Sequence, residues 1–192
     1  MTQPDQKDPE ALPLIEVNAG PANVTQPGSA LSFAEVFREH ARPLWRALLG
    51  LGVRPGDVDD ACQEVFLVVH RRLPEFDGRA LRSWLYAICL RVASEYRRSA
   101  RVRREITVDE VPEDEAAPMQ LDVVATRELS ARLLASLGRL DEEKRQAFVL
   151  YEVEELTLRE VAEALGCPLQ TAYSRLQAAR TFVRNDFERN AP

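Results

Sequence analysis

LTLREVAEALGCPLQTAYSRLQAAR, residues Leu156–Arg180, decides the fold of this chain. Two helical patterns meet in this stretch across a tight turn. Gly166 ends the first helix, because glycine adopts a left-handed C-cap conformation without a Cβ penalty, and Pro168 prevents the helix from continuing. The first pattern places apolar residues at the spacing of one buried helix face: Leu158, Val161, Ala162 and Leu165.

The second helix of this stretch has one apolar stripe and several polar faces. The stripe consists of Leu169, Ala172, Leu176 and Ala179. The other faces carry side chains that can contact phosphates or base edges: Gln170, Thr171, Tyr173, Ser174, Arg175, Gln177 and Arg180. The pattern predicts a helix-turn-helix whose second helix enters the major groove of DNA. A purely structural corner between two helices has the same apolar pattern and is the alternative.

The composition argues against a metal centre or an enzyme. The chain has 192 residues, with three cysteines and two histidines. These are Cys62, Cys89, Cys167, His40 and His70, and none of them shows the close paired spacing of a zinc site. We expect buried free thiols, no metal and no cofactor. The sequence offers no paired catalytic carboxylates that could support a Cys or His nucleophile, and no glycine-rich phosphate-binding loop. It therefore does not favour an enzyme.

The net charge of −6 conceals a strong segregation of charge. Residues 79–104 contain eight arginines and one acid, whereas residues 105–128 contain eight acids and one arginine. A basic segment is the electrostatic signature of a nucleic-acid surface, whatever the rest of the chain carries. The adjacent acids either fold back over the basic helix and compete with DNA, or only keep a tether soluble.

The helical periodicities predict an all-α protein with two helical domains joined by an acidic flexible linker. We expect a disordered extension over residues 1–30, a first domain over 31–104, the linker over 105–126, and a helix-turn-helix domain over 127–190. No apolar run reaches the length of about 18 residues that predicts a transmembrane helix. The N-terminus is unlike a signal peptide, so we expect no membrane insertion and a cytoplasmic location.

The first domain begins with two amphipathic helices. Ser32 and Glu35 form a capping-box pattern, and Pro43 predicts a kink or restart. The expected buried face of the first helix is Phe33, Val36, Phe37, Leu44, Trp45, Leu48 and Leu49. On the second helix, a polar ridge lies opposite the apolar stripe and consists of Asp60, Gln63, Glu64 and Leu67. Such a ridge suits docking onto a basic helical partner, although most charged ridges merely face water.

The third helix combines aromatic residues with arginines, directly after a loop that contains Pro74 and Gly78. Its apolar side includes Trp84, and its arginines are Arg82, Arg91, Arg97 and Arg98. Rings that stack on exposed bases and guanidinium groups that follow phosphates make a platform for single-stranded nucleic acid. The alternative is a core tryptophan beside a solvated basic surface.

In this order, the pieces resemble a bacterial RNA polymerase sigma factor of the extracytoplasmic-function (ECF) type. The likeness covers Phe33–Arg104 and Arg127–Phe187. It is carried by DVDDACQEVFLVVHRRLPEFDG, by LRSWLYAICLRVASEYRR, and by the helix-turn-helix stretch. The resemblance implies that the chain binds core RNA polymerase and directs promoter-specific initiation. An anti-sigma factor is a further partner that the resemblance allows.

The resemblance also implies a role for each segment. The ridge of Asp60, Gln63, Glu64 and Leu67 matches the motif that docks onto the polymerase clamp coiled coil. The −10 element is expected to contact the loop and the third helix through Phe76, Arg79, Arg82, Trp84, Arg91, Arg97 and Arg98. The −35 element is expected to contact the second helix of the helix-turn-helix, through the seven polar residues from Gln170 to Arg180 named above.

Two departures from the family limit what carries over. The family often has Asn where Arg91 stands and a basic residue where Tyr173 stands, so the base preferences do not transfer. An autonomous DNA-binding regulator is the competing interpretation. It leaves the ridge and the arginine-rich helix unexplained, and no heptad seam for dimerisation is present.

Overall fold

The computed structural model describes residues 31–106 and 121–189, with side chains described for 31–102 and 128–189. Within these ranges the protein is helical and contains no strand, so the predicted all-α class is confirmed. The N-terminal extension and the acids Asp109–Glu115 of the linker lie outside the described residues.

Three long helices form the N-terminal half. They are α1 (Phe33–Gly50), α2 (Val58–Arg72) and α3 (Leu81–Ile106). Short 3₁₀ turns at Pro55–Asp57 and Leu73–Glu75 lie before and after α2. Helix α1 is a single helix with Pro43 inside it, so the expected restart at that proline does not occur.

Four helices form the described C-terminal half. They are α4 (Leu121–Arg139), α5 (Glu142–Phe148), α6 (Leu158–Leu165) and α7 (Leu169–Arg189). A π-helical turn, Val149–Val153, follows α5 directly. Helices α3 and α4 occupy residues 105–106 and 121–126, so part of the range expected to be an extended linker is helical. The domain boundaries themselves stay a prediction.

Most residues of the apolar stripes predicted from periodicity lie in or against the core, but Phe37 and Trp45 on α1 and Leu169 on α7, which is 53% exposed, do not. Val36, Leu44 and Leu48 are buried, whereas Phe37 is 48% exposed and Trp45 is 38% exposed. The prediction that these two rings face the core is therefore wrong. Both side chains lie at the exposed edge between α1 and α2. Phe37 packs edge-on against Phe66 of α2, with 4.7 Å between the ring centroids. On α4, Leu129 and Leu134 are also exposed.

The two halves pack directly against each other through one shared cluster of buried apolar residues. Helix α3 contacts α6, and α1 contacts the π-helical turn and α4. Sequence periodicity reports which face of a helix is apolar but not which helix covers it. This contact between the halves was consequently not among the sequence predictions.

Candidate functional site

Local interactions fix the geometry of the helix-turn-helix. Thr157 caps α6, since its hydroxyl accepts from the Glu160 N–H at 3.3 Å while the Glu160 carboxylate accepts from the Thr157 N–H at 2.8 Å. Gly166 ends α6 with φ = 60°, in the left-handed region. The Cys167 N–H then donates to the Ala162 carbonyl at 3.0 Å, which closes the turn. The corner predicted around Gly166 and Pro168 is confirmed.

The outer face of α7 presents three of the seven predicted −35 residues to solvent. Gln170, Tyr173 and Ser174 are exposed, and the Tyr173 side chain is a large ring that is 46% exposed. Thr171 and Gln177 are half-buried beside them. The Ser174 hydroxyl donates to the Thr171 carbonyl at 2.9 Å, which leaves its oxygen able to accept another bond.

The two arginines of this set lie against neighbouring elements of the same half. Arg175 forms an ion pair with Glu143 of α5 at 2.7 Å and is only 22% exposed. Arg180 pairs with Glu152 and lies 5.1 Å above the Tyr151 ring. Arg175 therefore holds α7 against α5, and Arg180 holds it against the π-helical turn.

The ridge on α2 is accessible along most of its length. Asp60, Gln63 and Leu67 are exposed, and Glu64 is half-buried. Glu64 lies beside Tyr96 of α3, where burial, followed by the charges of Glu64 and Asp60, raises the pKa of the Tyr96 phenol. The predicted ridge thus has three side chains free to meet a partner and one that also fixes α2 to α3.

Beside the ridge, an apolar groove runs between α1 and α2. It has a volume of about 560 Å³ and is lined by Phe33, Phe37, Ala41, Trp45, Asp59, Cys62, Gln63, Phe66, Leu67 and His70. The indole N–H of Trp45 donates to Asp59 at 2.7 Å, so the ring is held across the groove from its α1 side. The sequence analysis missed this groove, because it assigned Phe37 and Trp45 to the core.

The loop and the start of α3 place two aromatic rings together. Phe76 and Trp84 stack with ring centroids 4.8 Å apart and planes tilted by 35°. They line a cleft of about 470 Å³ with the exposed Arg79 at its margin. Trp84 is half-buried and packs against the core, and the accessible part of its side chain lines this cleft.

The predicted arginines of α3 divide into two groups. Arg91 and Arg98 are exposed and line a second cleft of about 520 Å³. Arg82 and Arg97 instead contact the C-terminal half. Arg82 donates to the Glu154 carbonyl at 2.6 Å, and Arg97 pairs with Glu142 at 3.5 Å. The structure therefore does not bring all seven −10 candidates onto one free surface.

Glu154 is the polar centre of the contact between the halves. Its side chain is 1% exposed and accepts from Arg46 through two bonds, at 3.0 and 3.1 Å. It also accepts from the Tyr86 hydroxyl at 2.7 Å, and burial, with this bond, raises the Tyr86 pKa. The sequence analysis missed Glu154, because its partners are 68 and 108 residues away and no local pattern marks it.

A buried arginine lies at the same contact. Arg145 is 3% exposed and donates to the carbonyl oxygens of Leu140 and, at 3.5 Å, of Leu51. Burial, with the nearby charge of Arg97, lowers the pKa of the Arg145 guanidinium to about 10. Within the side chains described, its Nε has no hydrogen-bond partner. The contact between the halves thus combines apolar packing with charges withdrawn from water.

Neither a metal-binding cluster nor a membrane-spanning helix is found in the described ranges. Residues 31–106 and 121–189 contain no group of three His, Cys, Asp or Glu residues that could hold a metal ion. No helix in these ranges is long and apolar enough to cross a bilayer. Cys62, Cys89 and Cys167 are all free thiols, but only Cys89 is buried, so the expected burial is wrong for the half-buried Cys62 and Cys167.

These features define a class of protein: a two-part helical protein with the helix-turn-helix of a DNA-binding protein in its second part and an exposed polar ridge in its first. Comparisons with known proteins agree with this class. The family "Sigma-70 region 2" matches residues 36–103, and "Sigma-70, region 4" matches residues 130–183.

Curated relatives and a solved structure extend the match. The chain is 32% identical over 160 residues to the RNA polymerase sigma factor NccH of Alcaligenes xylosoxydans xylosoxydans, covering 80% of this chain and 85% of the relative. It is 31% identical over 158 residues to the ECF sigma factor SigE of Mycolicibacterium smegmatis, covering 80% of this chain and 61% of that longer relative. The sigma factor RpoE of Bartonella quintana, solved with the anti-sigma factor NepR, has the same fold with a TM-score of 0.62 at 19% identity, covering 82% and 98% of the two chains.

The chain belongs to the ECF-type family of bacterial RNA polymerase sigma factors. It is therefore a transcription initiation factor that directs promoter-specific transcription, and it is not an enzyme.

Proposed function

We propose that the three surfaces divide the work of promoter-directed initiation between polymerase docking, −10 capture and −35 recognition. One observation carries the proposal: Asp60, Gln63 and Leu67 are exposed on one half, while Gln170, Tyr173 and Ser174 are exposed on the other. A regulator that acted alone would need only the second surface. The protein acts where RNA polymerase and the chromosome are, which implies a cytoplasmic location.

The ridge on α2 is proposed to dock onto core polymerase. Charge reversal of Asp60 and Glu64 to arginine should abolish co-purification with core enzyme while the helical signal of the protein stays unchanged. The matched control reverses two exposed acids away from the ridge, Glu39 and Glu188. Normal stoichiometry of the ridge double mutant on core polymerase would disprove the assignment.

The −35 element is proposed to be read by the exposed face of α7. Substitutions at Gln170, Tyr173 and Ser174 should change the preferred bases in a randomised −35 library, because these side chains can reach base edges. Arg175→Ala should weaken binding to all sequences alike, since its ion pair with Glu143 positions the helix. If the exposed substitutions leave the selected sequences unchanged, the recognition face lies elsewhere.

The −10 element is proposed to bind the Phe76–Trp84 cleft and the arginine side of α3. Stacking of an unpaired base on an aromatic ring contributes about 1–3 kcal/mol, so Trp84→Ala should reduce binding of a single-stranded −10 oligonucleotide by about fivefold to 150-fold. The same change should leave duplex −35 binding unaltered. Equal losses for both DNAs would indicate a general folding defect and count against the assignment.

Simultaneous recognition of both elements requires the halves to separate. The −10 and −35 elements lie about 25 base pairs apart, which is roughly 85 Å at about 3.4 Å per base pair. Residues 107–120 connect α3 to α4 and would span at most about 50 Å when fully extended. We propose that the closed arrangement is the form of the free protein and that docking onto polymerase opens it, releasing Arg82 and Arg97.

An anti-sigma factor is a candidate regulator of this transition. The Bartonella relative was solved with one, and a protein that covers α2 or holds the halves together would block docking. Co-purification of the protein from its own host, without added polymerase, tests for such a partner.

A further inference from the structure

The apolar groove between α1 and α2, with a volume of about 560 Å³, is large enough to accept a short peptide segment. Three of its side chains are both bulky and substantially exposed: Phe37 at 48%, Trp45 at 38% and Leu67 at 48%. An exposed contiguous apolar patch rimmed by polar groups marks a binding site rather than an ordinary surface.

The chain itself leads into this groove. Phe33, the first residue of α1, lines the groove together with His70, and their rings are 5.0 Å apart. Residues 1–30 precede it and contain one strongly apolar run, LPLIEV, residues Leu12–Val17. The rest of the extension holds small and polar residues, with Val24 as its only other large aliphatic residue besides Met1.

We propose that Leu12–Val17 occupies the groove between α1 and α2 of the same molecule. The length of the extended segment matches the length of the groove. Six residues reach about 20 Å when extended, and the α1 side of the groove, from Phe33 to Trp45, spans about 18 Å at about 1.5 Å per residue. Fourteen residues, 18–31, connect the segment to Ser32, which is ample length for its return.

Tethering makes even a weak contact effective. A short linker gives a local concentration on the order of millimolar, so a segment with an intrinsic dissociation constant of about 0.1 mM would occupy the groove about 90% of the time. Four acids and one lysine in residues 1–30 give the extension a negative charge. The exposed Glu35 and Glu39 offset Arg38 and Arg42 on α1, and Asp59 lines the groove, so apolar contact rather than charge carries the docking.

Occupation of the groove would compete with polymerase. Gln63 and Leu67 belong both to the groove and to the ridge proposed to dock onto core enzyme. This consequence rests on the proposed function, whereas the docking itself does not. If the groove is free about 10% of the time, the apparent affinity for core polymerase is reduced by about tenfold.

Trp45 is a built-in reporter of the groove. The chain has two tryptophans, Trp45 and Trp84, so a Trp84→Phe background leaves the signal of Trp45 alone. In this background the full chain is compared with the double variant Leu14→Glu, Ile15→Glu. The matched control, Ala22→Glu with Val24→Glu, places the same two charges elsewhere in the extension.

The expected result is that Leu14→Glu, Ile15→Glu shifts the Trp45 emission to the red and makes it more accessible to acrylamide, while the control variant behaves as the full chain does. A synthetic peptide of residues 8–20, added to a chain lacking residues 1–24, should restore the shielding saturably. Equal Trp45 accessibility in all variants would overturn the inference and leave the proposed function untouched. Shielding that disappears on dilution would also overturn it, because the occupant would then be a second copy.

Measuring the affinity for core polymerase separates the docking of Leu12–Val17 in the groove from its competition with polymerase. Tighter binding of the Leu14→Glu, Ile15→Glu variant, by about tenfold, supports both the docking and the competition. Shielding of Trp45 with unchanged polymerase affinity supports the docking and shows that polymerase does not use the groove.

Discussion

Replacing Glu154 by alanine tests how strongly one buried carboxylate holds the two halves together. The carboxylate accepts two bonds from Arg46 and one from the Tyr86 hydroxyl. The alanine variant leaves that hydroxyl without its acceptor in a residue that is 3% exposed. The Arg46 guanidinium, which is 54% exposed, can turn to water instead.

The cost follows from this difference in exposure. A hydrogen bond to a charged group contributes about 1.5–3 kcal/mol, and the Tyr86 bond falls in this class because its acceptor is the Glu154 carboxylate. The half-exposed Arg46 pair adds at most about 1 kcal/mol. We therefore expect Glu154→Ala to lower the free energy of unfolding by about 2–4 kcal/mol, below the upper range for a fully buried ion pair.

A double-mutant cycle with Tyr86→Phe isolates the central bond. Urea unfolding of the full chain should give a coupling energy of about 1 kcal/mol or more between the two positions. The matched control is Glu188→Ala, which removes an exposed carboxylate from α7 and should change stability by less than about 0.5 kcal/mol.

Solution scattering supplies a second readout, since weakening the contact should increase the radius of gyration of Glu154→Ala at unchanged helix content. A coupling energy below about 0.5 kcal/mol with an unchanged radius would refute the reasoning, because the carboxylate would then not hold the halves together.

Two further changes test local features of the fold. Thr157→Ala should destabilise the protein by about 1 kcal/mol at pH 7 through loss of the α6 cap. Although burial opposes it, the bonds from Thr157 lower the pKa of Glu160, so the stability they contribute is present above the ordinary glutamate pKa and is lost as pH falls through the lowered value. The difference between the variant and the parent in urea unfolding should therefore shrink below about pH 4. Gly52→Ala should cost about 1–3 kcal/mol in thermal unfolding, because φ is +92° and the new Cβ would lie 2.8 Å from Arg145 Nη1. Its control is Gly56→Ala, where a Cβ meets nothing within 4 Å, and a comparable loss there would contradict the explanation.

The helix-turn-helix was predictable because its determinants are local. Gly166 and Pro168 end one helix and begin the next within a few residues, and the buried stripe of α7 repeats at the helical period. Tyr173 and Ser174 could be assigned to an outer face for the same reason. The same reasoning wrongly predicted that Phe37 and Trp45 are buried, because helical periodicity identifies an apolar face without showing whether another element covers it.

The contact between the halves was beyond such reasoning, since it joins residues far apart in the chain. Glu154 follows Val153 and precedes Glu155, and nothing local distinguishes the buried carboxylate from the exposed one. Only the packing of α1 and α3 against the π-helical turn selects Glu154 as the acceptor for Arg46 and Tyr86.

The arginines of α3 show the same restriction as Phe37 and Trp45 and as Glu154: the sequence identifies the kind of side chain but not the element that it contacts. Guanidinium groups recognise carboxylates, carbonyl oxygens and phosphates by the same directed hydrogen bonds, so an arginine-rich helix predicts an acceptor without specifying which one. In this structure Arg82 and Arg97 contact the Glu154 carbonyl and the Glu142 carboxylate of the C-terminal half. Arg91 and Arg98 remain exposed on the same helix. If the arginine side of α3 binds −10 DNA as proposed, promoter phosphates and the C-terminal half compete for the first pair but not for the second. Closing the protein would then weaken −10 binding without hiding the whole basic surface, and the exposed pair would be able to make the first contact with DNA.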